Sequence, residues 1–307
     1  MFSLNYHLIL HSNSHNLEVG RSARSVRLTT NSGEKFSMSK TVKDLMHPGL
    51  ILCEPGASLG HVAKLLTAHH IHAVVVAEPD GQPLGIISDF DLLAGEWLSV
   101  DRESLNTMRT MTAHDLMTSP IESIEADTPV EEAAKRMIEK QIHRMLVTEA
   151  DQPIGVISVS DFVASIASQE KAKRESVGDV MSDVFLVCRD TTSVISAART
   201  MTQARWRSVL VVDSSGRPIG AITGHDLLPF AGKNVSEDLV VGDIMNSNLV
   251  TIGVNASLQQ AADIMVRDHR HRIIVIDPDH PEGFPLGIIS SFDIVAEMAK
   301  PGSIWQI

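Results

Sequence analysis

Four copies of one pattern divide this chain and constrain its fold more than any other feature. Each copy begins with a marker in which an Asp is followed by an apolar residue and a Met. The four markers are VKDLM (42–46), AHDLM (113–117), VGDVM (177–181) and VGDIM (241–245). Their Asp residues lie 71, 64 and 64 positions apart. Repetition at this spacing indicates one supersecondary unit that occurs four times.

Each copy closes with a second pattern, in which an apolar strand follows a Gly and ends in Ser or Thr, with Asp three residues later. The four closing segments are GIISDFD (85–91), GVISVSD (155–161), GAITGHD (220–226) and GIISSFD (287–293). The closing Asp follows the marker Asp by 47, 46, 47 and 50 residues. A hydroxyl and a carboxylate therefore meet at the end of a buried strand four times.

The secondary-structure signals between these two patterns recur in a fixed order. A short extended segment is followed by a helix, then a strand, a turn, the closing strand and a second helix. The expected N-caps of the first helices are Ser58, Thr128, Ser193 and Ser257. Thr128 with Glu131, and Ser257 with Gln260, are expected capping boxes. The order strand-helix-strand-strand-helix predicts an α/β (α+β) fold, with Met137, Met201 and Met265 in the core.

Composition excludes several classes of protein. The formal net charge of −12 argues against nucleic acid or an anionic membrane surface as the main partner. No apolar run approaches the roughly 18 residues that a membrane helix needs. The two cysteines, Cys53 and Cys188, exclude a disulfide framework and indicate a reducing compartment, for which we expect the cytoplasm.

The chain is expected to divide into three regions. Residues 1–37 show no sustained periodicity, so they are a disordered extension, a non-native extension if Met38 is the true start, or an organelle transit peptide. A unit of about 60 residues this apolar cannot bury its faces alone, so neighbouring repeats must pair. The charged connection 169–176 then predicts one module at 38–170 and another at 171–307. The repeats span about 41–97, 112–168, 176–230 and 240–299.

The marker and the closing pattern, in register four times, resemble the cystathionine-β-synthase (CBS) domain family, whose domains pair into Bateman modules. The resemblance implies two Bateman modules with a repeat layout similar to that of the γ subunit of AMP-activated protein kinase. It also implies that the closing hydroxyl and carboxylate bind the ribose of an adenosyl ligand. The matching residues are Ser88 with Asp91, Ser158 with Asp161, Thr223 with Asp226, and Ser290 with Asp293.

The chemistry of the closing pair suits a ribose, because one carboxylate can accept hydrogen bonds from both vicinal hydroxyls. The same spacing also suits a helix N-cap followed by an acid in the first turn, which needs no ligand. Internal repetition alone does not decide between the two interpretations, since duplicated segments share ancestry. The family resemblance favours ribose binding.

A nucleotide phosphate needs cationic donors, and the entry to the third segment of each repeat offers them. The candidates for phosphate binding are His143, Arg144, His271, Arg272 and Arg207. The His–Arg pairs resemble the phosphate-contacting pairs of the γ subunit named above. Phosphate binding is favoured for the second and fourth repeats over the first and third, which carry His72-Ala73 and Arg207-Ser208. The alternative is that these residues are solvated and pair with neighbouring acids, and the cleft that each pair faces stays open.

Other candidate residues have simpler explanations. The clusters HHIH (69–72) and HRH (269–271) lie where a helix ends, which the helix dipole alone favours, so no metal site is expected. No catalytic constellation is recognisable, so neither catalytic residues nor a required cofactor is predicted.

These observations lead to two hypotheses about function. The first is a regulatory sensor that binds AMP, ADP, ATP or S-adenosylmethionine in clefts between paired repeats and transmits the bound state to an effector protein. The second is a structural or scaffold protein without a physiological ligand. For the assembly, both a homodimer and an intramolecular disc of four repeats are compatible with the repeat number.

Overall fold

The computed structural model describes residues 40–97, 106, 109–168, 175–230, 235–236, 238–280 and 283–300. The expected extension 1–37 and the alternative start at Met38 lie outside these residues, as does most of the connection 169–176. Within the described part, every repeat follows the predicted order of strand, helix, strand, strand and helix. The α/β class predicted from the sequence is confirmed.

The first two repeats differ little in their elements. The first contains α1 (Val42–Leu45), β1 (His47–Pro48), β2 (Leu52–Cys53), α2 (Leu59–Ala68), β3 (Ala73–Ala77), β4 (Pro83–Ser88) and α3 (Asp89–Trp97). The second contains α4 (Ala113–Leu116), β5 (Ser123–Glu125), α5 (Val130–Lys140), β6 (Arg144–Glu149), β7 (Gln152–Ser158) and α6 (Val159–Ala167).

The third and fourth repeats follow the same plan with shorter helical turns at two places. The third contains α7 (Val177–Val180), β8 (Val187–Arg189), α8 (Val194–Ala204), β9 (Ser208–Val212), β10 (Pro218–Thr223), α9 (Gly224–Leu227) and the 3-10 turn Leu228–Phe230. The fourth contains the 3-10 turn Val241–Asp243, β11 (Thr251–Gly253), α10 (Leu258–Arg267), β12 (Arg272–Ile276), β13 (Gly287–Ser290) and α11 (Ser291–Met298).

Each repeat forms its own small sheet around the strand that follows the first helix. That strand pairs in parallel with the short first strand and antiparallel with the closing strand, giving the orders β2-β3-β4, β5-β6-β7, β8-β9-β10 and β11-β12-β13. The helices cover the sheets with the residues expected from their periodicity. Met137, Met201 and Met265 are 0%, 0% and 3% exposed, which confirms their place in the core.

Helix starts confirm three of the four expected caps and correct the other. Ser58, Ser193 and Ser257 accept hydrogen bonds at their helix N-termini, and Ser257 forms the expected box with Gln260. The expected box of Thr128 with Glu131 does not form, because Pro129 is the N-cap of α5. The carbonyl of Thr128 instead accepts from the amide of Val42 at 2.8 Å, so a contact with another repeat replaces the local cap.

The marker segments lie on neighbouring repeats rather than on their own. β1, which follows the first marker, pairs with β7 of the second repeat. The segment after the second marker pairs with the first repeat in turn. The amide of Thr118 donates to the carbonyl of Ile86 of the first repeat at 2.8 Å, and the amide of Ile86 donates to the carbonyl of Thr118 at 3.0 Å. The third and fourth repeats exchange segments in the same way, through Ser182 with Ile288 and Asn246 with Ala221. Reciprocal exchange therefore links repeats one with two and three with four.

The Gly that opens each closing strand lies at the contact made by this exchange. A Cβ atom on Gly155 would lie 2.3 Å from the carbonyl oxygen of His47, and one on Gly287 would lie 2.5 Å from that of Ser182. The marker Met packs at the same place: the sulfur of Met117 lies 2.7 Å from the Cβ position of Gly85, and that of Met245 lies 2.6 Å from that of Gly220. The two repeated sequence patterns are thus the two sides of one contact.

Helices join the exchanged pairs to each other. α6 packs against α10, and α11 packs against α5 and α6, so repeats two and four share one core that contains Phe162, Met137 and Ile289. α3 packs against α8, where Leu93 of the first repeat enters the core of the third. Within the described residues, no helix combines the length and the apolar character needed to cross a membrane.

We expect Gly155→Ala to destabilise the protein by ~1–3 kcal/mol, because the added methyl group would push the backbone at His47 away from β7. Thermal and denaturant unfolding would measure this change. The matched control is Gly60→Ala in α2, where no atom lies within 4 Å of the Cβ position. There Ala should stabilise by roughly 0.5–1 kcal/mol, because it is the better helix former. Equal effects of the two substitutions would contradict the close-contact explanation.

Candidate functional site

The four closing motifs adopt one geometry at the junction of a strand and a helix. In each, one carboxylate oxygen of the Asp accepts from both the backbone amide and the hydroxyl of the Ser or Thr three residues earlier. These two distances are 2.7 and 2.6 Å for Ser88–Asp91, 2.6 and 2.8 Å for Ser158–Asp161, 2.8 and 2.6 Å for Thr223–Asp226, and 2.7 and 2.6 Å for Ser290–Asp293. The helix-cap interpretation of the motif therefore describes a real part of its structure.

The marker Asp residues form the same kind of box, which provides an internal comparison. Asp44, Asp115 and Asp179 each accept from the amide and hydroxyl of a preceding Thr or Ser, and Asp243 accepts from the amide of Val240. All four marker Asp side chains are exposed, whereas the closing Asp residues are half-buried or, for Asp161, buried. Capping alone does not require that burial.

The closing Asp residues differ in the contacts made by their second carboxylate oxygen. In Asp161 this oxygen lies 2.5 Å from Nδ1 of His47, on the segment exchanged from the first repeat. Among the described residues, the second oxygens of Asp91 and Asp293 have no hydrogen-bond partner. Burial raises the pKa of Asp91, Asp161 and Asp293, and the hydrogen bonds from Ser88, Ser158 and Ser290 partly offset that effect. Asp91 and Asp293 therefore cap their helices with one oxygen and keep the other without a partner among the described residues.

Strand register places the cationic candidates beside the closing motifs. The first residue of each central strand lies opposite the motif Ser or Thr of the same repeat. The four pairs are Ala73 with Ser88, Arg144 with Ser158, Ser208 with Thr223, and Arg272 with Ser290. The two Arg residues thus begin their strands next to a motif hydroxyl, and the His or Arg before each strand lies one residue further out.

The strand-entry residues of all four repeats converge on one central cluster, which we define as His72, Asp89, His143, Arg144, Arg207, His225, His271 and Arg272. The Nε2 atoms of His72 and His271 are 3.0 Å apart, and the ring of His225 lies 5.6 Å from that of His72. Arg144 donates to the carbonyl of His72 at 3.4 Å. The ring of His143 lies 4.8 Å from that of Phe292 of the fourth repeat. Candidates that are distant in sequence therefore share one site.

Burial and neighbouring cations keep two imidazoles of this cluster, His143 and His271, neutral. Burial lowers the pKa of His143 to about 3 and that of His271 to about 4, and neighbouring cations, including Arg144, add to both effects. Burial also lowers the pKa of Arg144 and Arg272 to about 10, so both stay charged at neutral pH. Solvent still reaches the cluster, since His143 and both Arg residues are half-buried and part of His271 is exposed, although the ring of His271 packs against that of His72. Arg therefore supplies the charge, and His supplies neutral donors.

Asp89 is the carboxylate at the centre of this cluster, and it was not among the residues predicted from the sequence. Its Oδ2 lies 2.9 Å from Nδ1 of His72, and its Oδ1 lies 3.6 Å from Nη1 of Arg207. Burial alone would raise the pKa of Asp89, but the hydrogen bond and charge of His72, with Arg207 and Arg144, hold it below its ordinary value. The available signal was the residue after the motif hydroxyl, which is acidic in the first repeat only.

The remaining candidates lie outside the central cluster. His69 is the C-cap of α2, and His70 and His269 adopt positive φ angles of 52° and 51°. Within the described ranges, no three or more His, Cys, Asp or Glu side chains are arranged so that they could hold a metal ion. Cys53 is buried and Cys188 half-buried, and burial raises the pKa of both thiols to about 11. A cavity of about 130 Å³ between Pro218, Thr251 and Pro285 includes none of the predicted site residues.

Comparison with known proteins matches this architecture to one family. The model of the CBS domain matches four segments of the chain, residues 42–96, 113–168, 177–232 and 241–300. The chain belongs to the CBS domain family. The family model thus matches four times, the number of repeats predicted from the marker and closing patterns.

Similar proteins support the four-repeat arrangement. The protein MJ1225 of Methanocaldococcus jannaschii, proposed as an archaeal homologue of g-AMPK, superposes with a TM-score of 0.74 over 84% of this chain and 99% of its own, at 18% identity. A conserved protein of Pyrococcus horikoshii superposes with a TM-score of 0.59 over 84% and 100%, at 21% identity. These likenesses show the CBS fold.

A curated relative extends the comparison to sequence. The protein MJ1404 of Methanocaldococcus jannaschii is 27% identical over 191 residues. The matched stretch covers 61% of this chain and 43% of that protein, so this CBS chain spans less than half of its relative's length.

We expect the ligand-free protein to lose stability as the pH falls from about 7 towards 5. In the unfolded chain His143 and His271 take up protons near their ordinary pKa of 6.5, while in the folded state they stay neutral down to about pH 4. Protons therefore favour unfolding in this window. Thermal unfolding of the wild type, His143→Gln and His271→Gln across this range would measure the effect.

Both Gln variants should show a weaker pH dependence than the wild type, and His114→Gln, an exposed His of α4, should not. The raised pKa values of Asp91, Asp161 and Asp293 act with the opposite sign at lower pH, so the comparison ends at pH 5. Identical pH profiles for all four proteins would contradict the depressed His pKa values.

Proposed function

We propose that this CBS protein is a regulatory sensor that binds adenine nucleotides or other adenosyl ligands, such as S-adenosylmethionine, and transmits the bound state to an effector protein. The observation that carries the proposal is the convergence of Arg144, Arg207 and Arg272 on one solvent-accessible cluster next to the closing motifs. Three guanidinium groups meet there, and among the described residues the only carboxylate within 4 Å of any of them is Asp89, while Asp91, Asp161 and Asp293 act on them from further away. Guanidinium groups with so few direct carboxylate contacts suit a ligand that brings its own anion.

Ribose binding is proposed for the closing pairs Ser88–Asp91, Ser158–Asp161, Thr223–Asp226 and Ser290–Asp293. The capping boxes occupy one oxygen of each carboxylate, and the second oxygens of Asp91 and Asp293 are available to accept from vicinal hydroxyls. Phosphate binding is proposed for Arg144 and Arg272, with neutral His143 and His271 as additional donors. Each Arg begins its strand opposite a motif Ser, so sugar and phosphate contacts lie side by side.

The division into Bateman modules 38–170 and 171–307 belongs to the same proposal. Reciprocal exchange of marker segments between repeats one and two, and between repeats three and four, supports it. The packing of α6 against α10 and of α3 against α8 supports an intramolecular disc of four repeats. Light scattering would separate this disc from a homodimer. We also propose a cytoplasmic location, for which the two free cysteines are the support.

A scaffold function without a ligand is the second candidate, and the capping boxes favour it. They give every motif hydroxyl and one oxygen of every motif carboxylate a structural role. The two functions differ in what a closing Asp does beyond capping. The marker Asp residues, which cap equally well but are exposed, supply the control.

We expect Asp91→Ala and Asp293→Ala each to weaken binding of AMP and adenosine by about tenfold or more at the affected site, because an ionised acceptor of ribose hydroxyls is lost. Calorimetry with adenosine, AMP, ADP, ATP and S-adenosylmethionine would measure this. Asp115→Ala removes the same capping box from an exposed position and should cost only ~1 kcal/mol of stability. If no ligand binds the wild type more tightly than millimolar, the sensor function is wrong and the scaffold function stands.

We expect Arg144→Ala to weaken AMP or ATP binding by about tenfold or more while adenosine binding barely changes, because only the phosphate loses a charge-assisted bond. Titrations at low and high salt would show a smaller effect at high salt. Arg136→Ala, which removes a guanidinium paired with Glu132 on α5, is the control. Unchanged nucleotide affinity in Arg144→Ala and Arg272→Ala, with loss in Asp293→Ala, would overturn the phosphate assignment and keep the ribose assignment.

A further inference from the structure

The central cluster has two halves, one from repeats one and three and the other from repeats two and four. Only the first half contains the buried carboxylate of Asp89. The residue after the motif hydroxyl opens the closing helix, and it is Asp89, Val159, Gly224 and Ser291 in the four repeats. Only the first repeat places an anion there. The Asp89 side chain is 9% exposed, and Oδ1 also accepts from the amide of Phe90 at 2.8 Å, which fixes its orientation.

The third repeat is built to receive this carboxylate. Asp89 lies where α3 packs against the third repeat. It is close to Gly224, which is the residue at the equivalent position of that repeat. A Cβ atom on Gly224 would lie 3.9 Å from Oδ2 of Asp89 and 3.1 Å from Leu93, so a larger side chain would crowd this region. Small and acidic residues thus complement each other where repeats one and three meet.

Arg207 is the cation that Asp89 neutralises. Its Nη1 lies 3.6 Å from Oδ1 of Asp89, and its guanidinium lies 5.3 Å from the centre of the Phe90 ring. His72 contacts the other oxygen of Asp89. Arg207 therefore lies between the carboxylate of Asp89 and the ring of Phe90, which are consecutive residues of α3. The carboxylate supplies the negative charge that a bound anion would otherwise supply.

Repeats two and four present the opposite situation. Arg144 and Arg272 begin β6 and β12, and the positions equivalent to Asp89 hold Val159 and Ser291. Arg144 has a hydrogen bond only to the carbonyl of His72, and no ion pair joins Arg144 or Arg272 to a carboxylate within the described residues. This half of the cluster carries two guanidinium groups without a contacting counter-ion.

We propose that Asp89 is an internal anion that occupies the phosphate position of the first and third repeats. The clefts of these repeats therefore select adenosyl ligands that end in an uncharged group. Phosphate binds instead at Arg144 and Arg272. This inference rests on the proposed function for the identity of the ligand. The ion pair of Asp89 with Arg207 would keep any anion from binding Arg207, so this part of the inference can be tested with an inorganic anion.

The experiment compares the wild type, Asp89→Asn and Asp80→Asn by calorimetry and thermal shift with inorganic pyrophosphate, AMP and adenosine. Asp89→Asn keeps the side-chain shape and removes its charge, and Asp80→Asn makes the same change of net charge in an exposed turn. We expect Asp89→Asn to gain a pyrophosphate site, or to bind pyrophosphate about tenfold or more tightly, because Arg207 becomes free to bind it. Asp80→Asn should behave as the wild type does.

A double variant shows whether the gain passes through Arg207. Asp89→Asn combined with Arg207→Ala should lose the additional pyrophosphate binding. Asp89→Ser, which carries the residue of the fourth repeat, provides the same comparison if Asp89→Asn folds poorly.

Two outcomes separate this inference from the proposed function. If wild type, Asp89→Asn and Asp89→Ser bind pyrophosphate alike, the inference is overturned even where AMP binds through Arg144. If pyrophosphate binding increases in Asp89→Asn and depends on Arg207 while no nucleotide binds the wild type, the internal anion stands and the nucleotide assignment fails.

Discussion

The close contact between the marker Met and the Gly of the closing strand holds the architecture together. Only a residue without Cβ lets the backbone of the exchanged segment approach β7 or β13 so closely, as the 2.3 Å and 2.5 Å distances at Gly155 and Gly287 show. Through this contact each sheet gains an edge from a neighbouring repeat. The exchanged segment pairs with each closing strand next to its Gly, and the same strand ends a few residues later in the hydroxyl and carboxylate of the candidate site. The packing between repeats and the candidate site thus share one strand.

Electrostatics turns this symmetric frame into an asymmetric site. The backbone repeats the same junction four times, but the side chains at the strand entries differ. Repeats two and four contribute Arg144 and Arg272, whereas the first repeat contributes Asp89 and the third Arg207. Burial deprotonates His143 and His271 and leaves the guanidinium groups charged. Duplication thus supplied the geometry, and substitution at a few positions changed the charge of each half.

Local patterns in the sequence predicted the elements of the fold, because strand-helix-strand-strand-helix follows from periodicity and caps. The same reasoning failed at Thr128, because Pro129 is the N-cap of α5 and the carbonyl of Thr128 accepts from the amide of Val42 in another repeat. It could not show that Arg144, Arg207 and Arg272 meet, because their meeting depends on packing between repeats that are far apart in sequence. Asp89 was visible as the single acid after a motif hydroxyl, but its meaning needed Arg207 beside it.

The exchange also sets the smallest piece of this chain that can satisfy its own backbone. Val42 donates to Thr128 and Ala113 donates to Ala57, so a lone repeat would leave one sheet edge bare and one segment without a sheet. An edge of that kind recruits the missing strand from another molecule, as in domain swapping. A pair of repeats supplies the partner of each exchanged segment within itself. A cut between the two pairs would therefore keep every exchanged segment with its partner, but it would separate repeats two and four, which share one core.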